Sequence, residues 1–161
     1  MTERDLEKIV QQIVAEAVRL RDAFTNQRGS VTYVCIFCRN EKEFTELQNV
    51  ALENGGIVAK SSEAGPYIVV SGIETAAGKV RVVRPRRPDP TKSVRGDADF
   101  MAQNYDELKT KSIGQDGFKL IKRDDFEMIE LVKLDYNAWV YFSDPPVTEF
   151  DGIRQALAKV Q

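Results

Sequence analysis

Asp97 and Asp99 are the two residues whose type and spacing most directly suggest joint chemistry. They stand two apart in GDADF, and residues two apart on a strand share a face. Two carboxylates would then lie side by side, with Ala98 and Phe100 turned the other way. Such a pair binds a hard cation, or raises the pKa of one partner for acid–base work. A hard cation needs more oxygen ligands than these two, and Glu127 or Glu130 would have to help. The plainer alternative is a strand edge near solvent, where the aspartates cap turns or pair with Arg95 or Lys92.

Cys35 and Cys38 match the C-x-x-C spacing of redox and zinc motifs. On a strand, residues three apart point to opposite faces, and no second ligand pair exists, so buried small hydrophobes are the better expectation. Lys79, Arg81, Arg84, Arg86, Arg87, Lys92 and Arg95 form the one local excess of positive charge. Arginine suits phosphate or carboxylate, so RNA, a phosphorylated metabolite or an acidic partner are the functional readings; a solvated linker is the plain one. The stretch lacks the interleaved aromatics that stack bases. Trp139 and Tyr141 alternate onto one strand face and Phe142 onto the other, which gives either a pocket wall or ordinary sheet core.

The sequence contains no histidine. That removes the commonest base near neutral pH, the commonest metal ligand, and every Ser-His-Asp or Cys-His nucleophile system. No P-loop, G-x-G-x-x-G or nucleophile elbow occurs.

The elements that must position these residues can be read from periodicity. A chain of 161 residues with 42% apolar and 30% charged residues suits one globular domain, and a net charge of −2 provides no field for a polyanion or an anionic membrane. Without a long apolar run or a disulfide framework, a cytosolic address is the default expectation. Leu6, Val10, Ile13, Ala17, Leu20 and Phe24 recur at alternating fours and threes, predicting a helix from Asp5 to Phe24. Its broad apolar face implies docking on the domain's own sheet, or else pairing between subunits.

Then VTYVCIFC reads as a strand, EKEFTELQNVALENGG as a helix, and IVAKSSE, PYIVVSGI and KVRVVR as three strands. RPRRPDPTKSVR is a proline-stiffened connector. GDADFMA, YDELKTKSIGQDG, FKLIKRD, FEMIELVK and NAWVYFS repeat the order, and EFDGIRQALAKV closes as a helix. The repeat rests on order and spacing rather than identity: each unit has a strand, an asparagine corner (Asn40, Asn104), an acidic helix start, then glycine and an apolar strand. The expected organisation is a single domain: helix 1–29, module 30–84, linker 85–95, module 96–144 and helix 145–161.

Two βαβββ modules joined by an extended linker resemble the glyoxalase and bleomycin-resistance fold, the vicinal-oxygen-chelate superfamily, over about residues 31 to 144. The segment GDADFMAQNYDELK…GFKLI is similar to that superfamily's usual opening. The resemblance implies an α+β fold, a pseudo-symmetric curved sheet whose concave face lines a cleft. Members use this cleft for a divalent metal with an oxygen-rich substrate, or for a drug-like ligand without metal. The ligand positions would fall on Tyr33, Cys35, Asp97 and Asp99 of the first strands, and on Lys79, Arg81, Trp139 and Tyr141 of the last. That set departs from the usual His and Glu and speaks against metal catalysis. The expected function is therefore metal-independent binding of a small molecule, with no cofactor, in a homodimer. Tyr33, Asp97, Asp99, Trp139 and Tyr141 would line the site, with Arg81 and Arg84 as anion anchors. The alternatives are a divalent-metal enzyme using Asp97 and Asp99, and an RNA or protein interaction module using the basic linker. Nucleic acid and membrane are not expected partners.

Overall fold

The β-branched and aromatic runs form eight strands of one sheet in the computed structural model, which describes residues 1–160. The strands are β1 (Val31–Phe37), β2 (Ile57–Lys60), β3 (Tyr67–Thr75), β4 (Gly78–Arg86), β5 (Gly96–Phe100), β6 (Phe118–Lys122), β7 (Glu127–Leu131) and β8 (Ala138–Asp144). The helices are α1 (Glu3–Phe24), α2 (Glu41–Glu53), α3 (Tyr105–Ser112) and α4 (Asp151–Lys159), the last preceded by a 3₁₀ turn, Val147–Glu149. Spatial order is β2-β3-β4-β1-β5-β8-β7-β6. Read outward from the β1–β5 seam, the two halves follow the same path. Each module's first strand pairs in parallel with its last (β1 with β4, β5 with β8), and β1 meets β5 antiparallel. This is the α+β, pseudo-symmetric double βαβββ sheet expected from the repeat.

The asparagine corners explain why each helix starts where it does. The Asn40 side chain accepts from the Glu43 N–H at 2.8 Å, and the Asn104 side chain from the Glu107 N–H at 3.1 Å. Both satisfy donors that a helix leaves free in its first turn. α1 is held by a Thr2–Asp5 capping box, two residues earlier than the apolar seam predicts, because the cap lies outside that seam.

One face of the sheet carries α1, α2 and α3. α1 packs across β3, β1, β5 and β8, burying Leu6, Val10, Ile13, Val14, Ala17 and Leu20. Full burial of side chains of this kind stabilises by about 1.5–3 kcal/mol each for Val, Leu or Ile. The helix therefore docks on its own sheet, directly over the seam. The opposite face carries Tyr33, Cys35, Phe37, Tyr67, Val69 and Val82, covered in part by Val147, Ile153 and Ala156 of the 3₁₀ turn and α4.

β4 continues two residues past the expected module boundary at 84, through Pro85 to Arg86. Proline is tolerated there: Ile36 is its register partner on β1, and the strand's other side at this point is free of β3, whose last register partner on β4 is Val83.

Candidate functional site

The open face gathers its polar groups at the seam, because pairing register stacks one residue of each central strand in line. Arg84, Cys35, Asp97 and Trp139 form one such row across β4, β1, β5 and β8. Tyr33, Asp99, Tyr141 and Glu130 form the next, across β1, β5, β8 and β7. Both aspartates are thus on β5, one of the two central strands, rather than at an edge, and are 5% and 2% exposed.

Above this floor lies a cavity of about 390 Å³. Tyr33, Cys35, Asp97, Tyr141 and Ser143 form its base. Ile121, Arg123, Phe126, Met128 and Glu130 wall one side, from β6, β7 and the turn between them. Tyr67, Arg84 and Arg86 of the first module, Lys92 of the linker and Val147 complete it. Phe126 meets Phe150, just before α4, with ring centroids 5.1 Å apart, so the β6–β7 turn of the second module rests against the start of the C-terminal helix.

Asp97 has an Oδ1 that is buried and without a hydrogen-bond partner among the described residues. Burial, and then the charge of Asp99, push its carboxyl up to about 7, against the opposing pull of Arg86, Lys92 and Arg84. Asp99 lies below the cavity base and does not line it. Its Oδ2 accepts from the Ser143 hydroxyl, its Oδ1 is likewise buried and unpartnered, and burial pushes its carboxyl up to about 7 despite the serine. Tyr141 donates to Glu130 at 2.5 Å, and burial drives its phenol far above the ordinary range. Cys35 donates to the Tyr33 hydroxyl oxygen at 3.6 Å; burial pushes this thiol up to about 12, which leaves it a poor nucleophile. Cys38 points to the helical face and is also pushed by burial up to about 12. The C-x-x-C spacing is therefore split across the sheet, as strand alternation requires.

The basic run does not make one patch. Arg81 donates to the carbonyls of Leu157 and Val160 at the end of α4 and does not line the cavity. Arg84 donates to Gly65 O and Ser62 Oγ and lies 4.4 Å from the centre of the Tyr67 ring. Arg87 pairs with Glu41 at 3.4 Å and Arg95 with Glu43 at 2.8 Å, tying the linker to the acidic first turn of α2. Lys79 sits 3.5 Å from Glu74. Arg86 and Lys92 form no ion pair with a described residue. Both lie over the Phe37 ring, at 5.9 and 5.6 Å, and both line the cavity.

Of the residues singled out in the sequence, Tyr33, Asp97, Tyr141 and Arg84 come together on the cavity surface. Trp139 shares their face but packs edge-on against Phe37, 5.5 Å between centroids, with Lys92 5.1 Å above its ring. Ser143, Met128 and Glu130 complete the site. The same alternation that pairs Trp139 with Tyr141 places Ser143 on that face, and along β7 it separates Met128 and Glu130 from Glu127. Glu127 faces α3, where it contacts Tyr105 and Lys109. Phe126 and Arg123 sit in a turn, where alternation carries no signal.

A divalent cation does not fit this donor set. Among the described residues no three His, Cys, Asp or Glu side chains converge, and among the charges acting on Asp97 the one further acid, Asp99, is set against three cations, Arg86, Lys92 and Arg84.

No protein-family model matches the chain, and neither does any curated protein. Among solved structures, one described as "Structural Genomics, Protein EC4020" aligns over 98% of this chain and 90% of its own, with a TM-score of 0.62 at 10% identity. A glyoxalase/bleomycin resistance protein/dioxygenase superfamily member from Vibrio splendidus 12B01 aligns over 71% of this chain and 97% of its own, with a TM-score of 0.46 at 9% identity. At such identity a likeness concerns the fold alone, and the first extends it to both flanking helices. No helix among the described residues is long and apolar enough to cross a membrane.

Proposed function

We propose that this chain is a small-molecule-binding protein of glyoxalase-like fold that works without a metal, holding its ligand in the seam cavity. One observation carries the reading: Asp97, a buried carboxyl without a partner, forms part of the base of a cavity that both modules wall. A buried polar group left unsatisfied is destabilising by about 1–3 kcal/mol, and a ligand donor seated there would remove that penalty. The apolar walls with a few convergent polar groups are the usual make-up of a small-molecule site. The reading includes a homodimer, since large apolar side chains stay outside the fold, Leu134 fully and Phe24 by about 43%. The interaction-module alternative is less well supported, because the linker's charges are mostly engaged within the fold.

Native mass spectrometry of tag-free protein tests the whole reading. The expected species is a dimer with an organic adduct that is lost in Met128→Trp, a substitution that fills the cavity. A stoichiometric divalent ion that disappears in Asp97→Asn with Asp99→Asn would overturn the metal-free reading in favour of the enzyme.

A further inference from the structure

The cavity has two chemical poles. Asp97 lies at its base with an unpartnered oxygen, and Arg86 and Lys92 stand at its linker side without an ion pair. They are close enough to pull on the Asp97 charge, yet form no salt bridge with it. The register shows why. Trp139 is the β8 neighbour of Asp97, and Lys92 lies over both Trp139 and Phe37. The cations are thus held on an aromatic shelf beside the carboxyl rather than against it. In folded proteins, half-buried cations beside a buried acid normally close into pairs. Here Arg87 and Arg95, from the same stretch, do pair with acids, while Arg86 and Lys92 are left facing a void.

Resting on the binding-protein reading above, we infer that the ligand is a small organic acid bearing a hydroxyl or amine beside its anionic group. Its anion sits on Arg86 and Lys92, and its donor fills the empty position on Asp97. Charge complementarity fixes both ends. Arg86 and Lys92 require an anion, and Asp97 in its ionised form requires a hydrogen-bond donor, because two carboxylates in contact repel. The body of the molecule would lie against Tyr67, Ile121, Phe126, Met128 and Val147, which make the remaining wall apolar. A 2-hydroxy or 2-amino acid carries both groups on one small frame, and the cavity lining presents both poles to it.

A matched set of probes with one aromatic body tests this: 3-phenyllactate and phenylalanine carry both groups, 3-phenylpropionate lacks the donor, and phenethylamine lacks the anion. Titration calorimetry of the full chain should show binding of 3-phenyllactate or phenylalanine at least about tenfold tighter than 3-phenylpropionate, the worth of one charge-assisted hydrogen bond. Asp97→Ala should erase that difference. Arg86→Ala with Lys92→Ala should weaken all the acids alike, by roughly tenfold or more, and leave phenethylamine unaffected. Circular dichroism and a cooperative melt would establish that each variant is folded. Equal binding of 3-phenylpropionate, preferred binding of phenethylamine, or no binding by any of the four overturns the inference. In each of these cases an organic adduct in the native mass spectrum would still support the binding-protein reading. Its absence would bring down that reading separately.

Discussion

At the residue scale the seam is governed by two carboxyls that the fold holds in the wrong solvent for their charge. Asp97 faces Asp99, Tyr33, Cys35 and Tyr141 on the sheet, Glu130 on β7, and Arg84, Arg86 and Lys92 from β4 and the linker. Burial dominates, and both acids titrate near 7 instead of near 3.8. A folded pKa raised above the unfolded one contributes stability that is complete below the unfolded value and is lost as pH rises through the folded value. From these two acids the chain should be most stable at about pH 4 and lose a few kcal/mol between about pH 4 and 7. A fall in melting temperature on the order of 10 °C across that range is the expected readout. Asp97→Asn and Asp99→Asn should each flatten the slope, and a melt that is level with pH in the native chain would sink the argument. Sequence revealed that these acids share a face, since alternation is local. It did not reveal their burial, because that follows from strand order, which places β5 beside β1 in the middle of the sheet.

At the scale of elements, the seam depends on two contacts that sequence could not rank. Gly96 opens β5 where α1 crosses, and a Cβ there would meet Cys35 O at 2.2 Å and the Ile13 side chain at 2.7 Å. Gly96→Ala should destabilise by a few kcal/mol, since backbone cannot move aside as a flexible side chain can; Ile13→Ala in the same chain should relieve only the smaller part of the clash. In denaturant titrations the loss would appear as an earlier midpoint at unchanged slope. The second contact is the Arg95–Glu43 pair, whose side chains are only 11% and 15% exposed, and which also holds Arg95 on Phe37 O. Arg95→Ala should cost about 1–3 kcal/mol, and more than Arg87→Ala, whose exposed pair with Glu41 is worth little. Equal effects would mean that burial does not set the strength of these pairs. The helices and strands themselves were legible, down to the asparagine caps that mark each module. The end of β4 was not, because proline reads as a breaker wherever its ladder partner is unknown.

For the molecule as a whole, the question is whether two similar halves behave as one unit. Each module has its own strand order, which taken alone predicts that each melts separately. Three features oppose this. β1 and β5 are buried along their full length, α1 lies over the seam and packs on strands of both modules, and the cavity walls come from both. Opening either half would expose the other's central strand, so unfolding should be a single transition. The lone tryptophan, Trp139, packs against Phe37 across that seam and reports on it by fluorescence. Its transition should coincide with loss of helix and sheet measured by circular dichroism. Leu20→Ala, in the helix that clamps the seam, should shift both curves together by on the order of 10 °C, from a large-to-small loss of about 2–5 kcal/mol. Hydrogen exchange should rank the strands in the same way: β1 and β5 slowest, and the half-exposed edge strands β2 and β6 fastest. If the fluorescence curve separated from the dichroism curve, or β1 exchanged well before β5, the halves would be independent folding units. A site built from both would then exist only while they stay docked. If the curves coincide, any ligand that fills the cavity should stabilise the entire chain, and melting becomes a direct assay for the missing ligand.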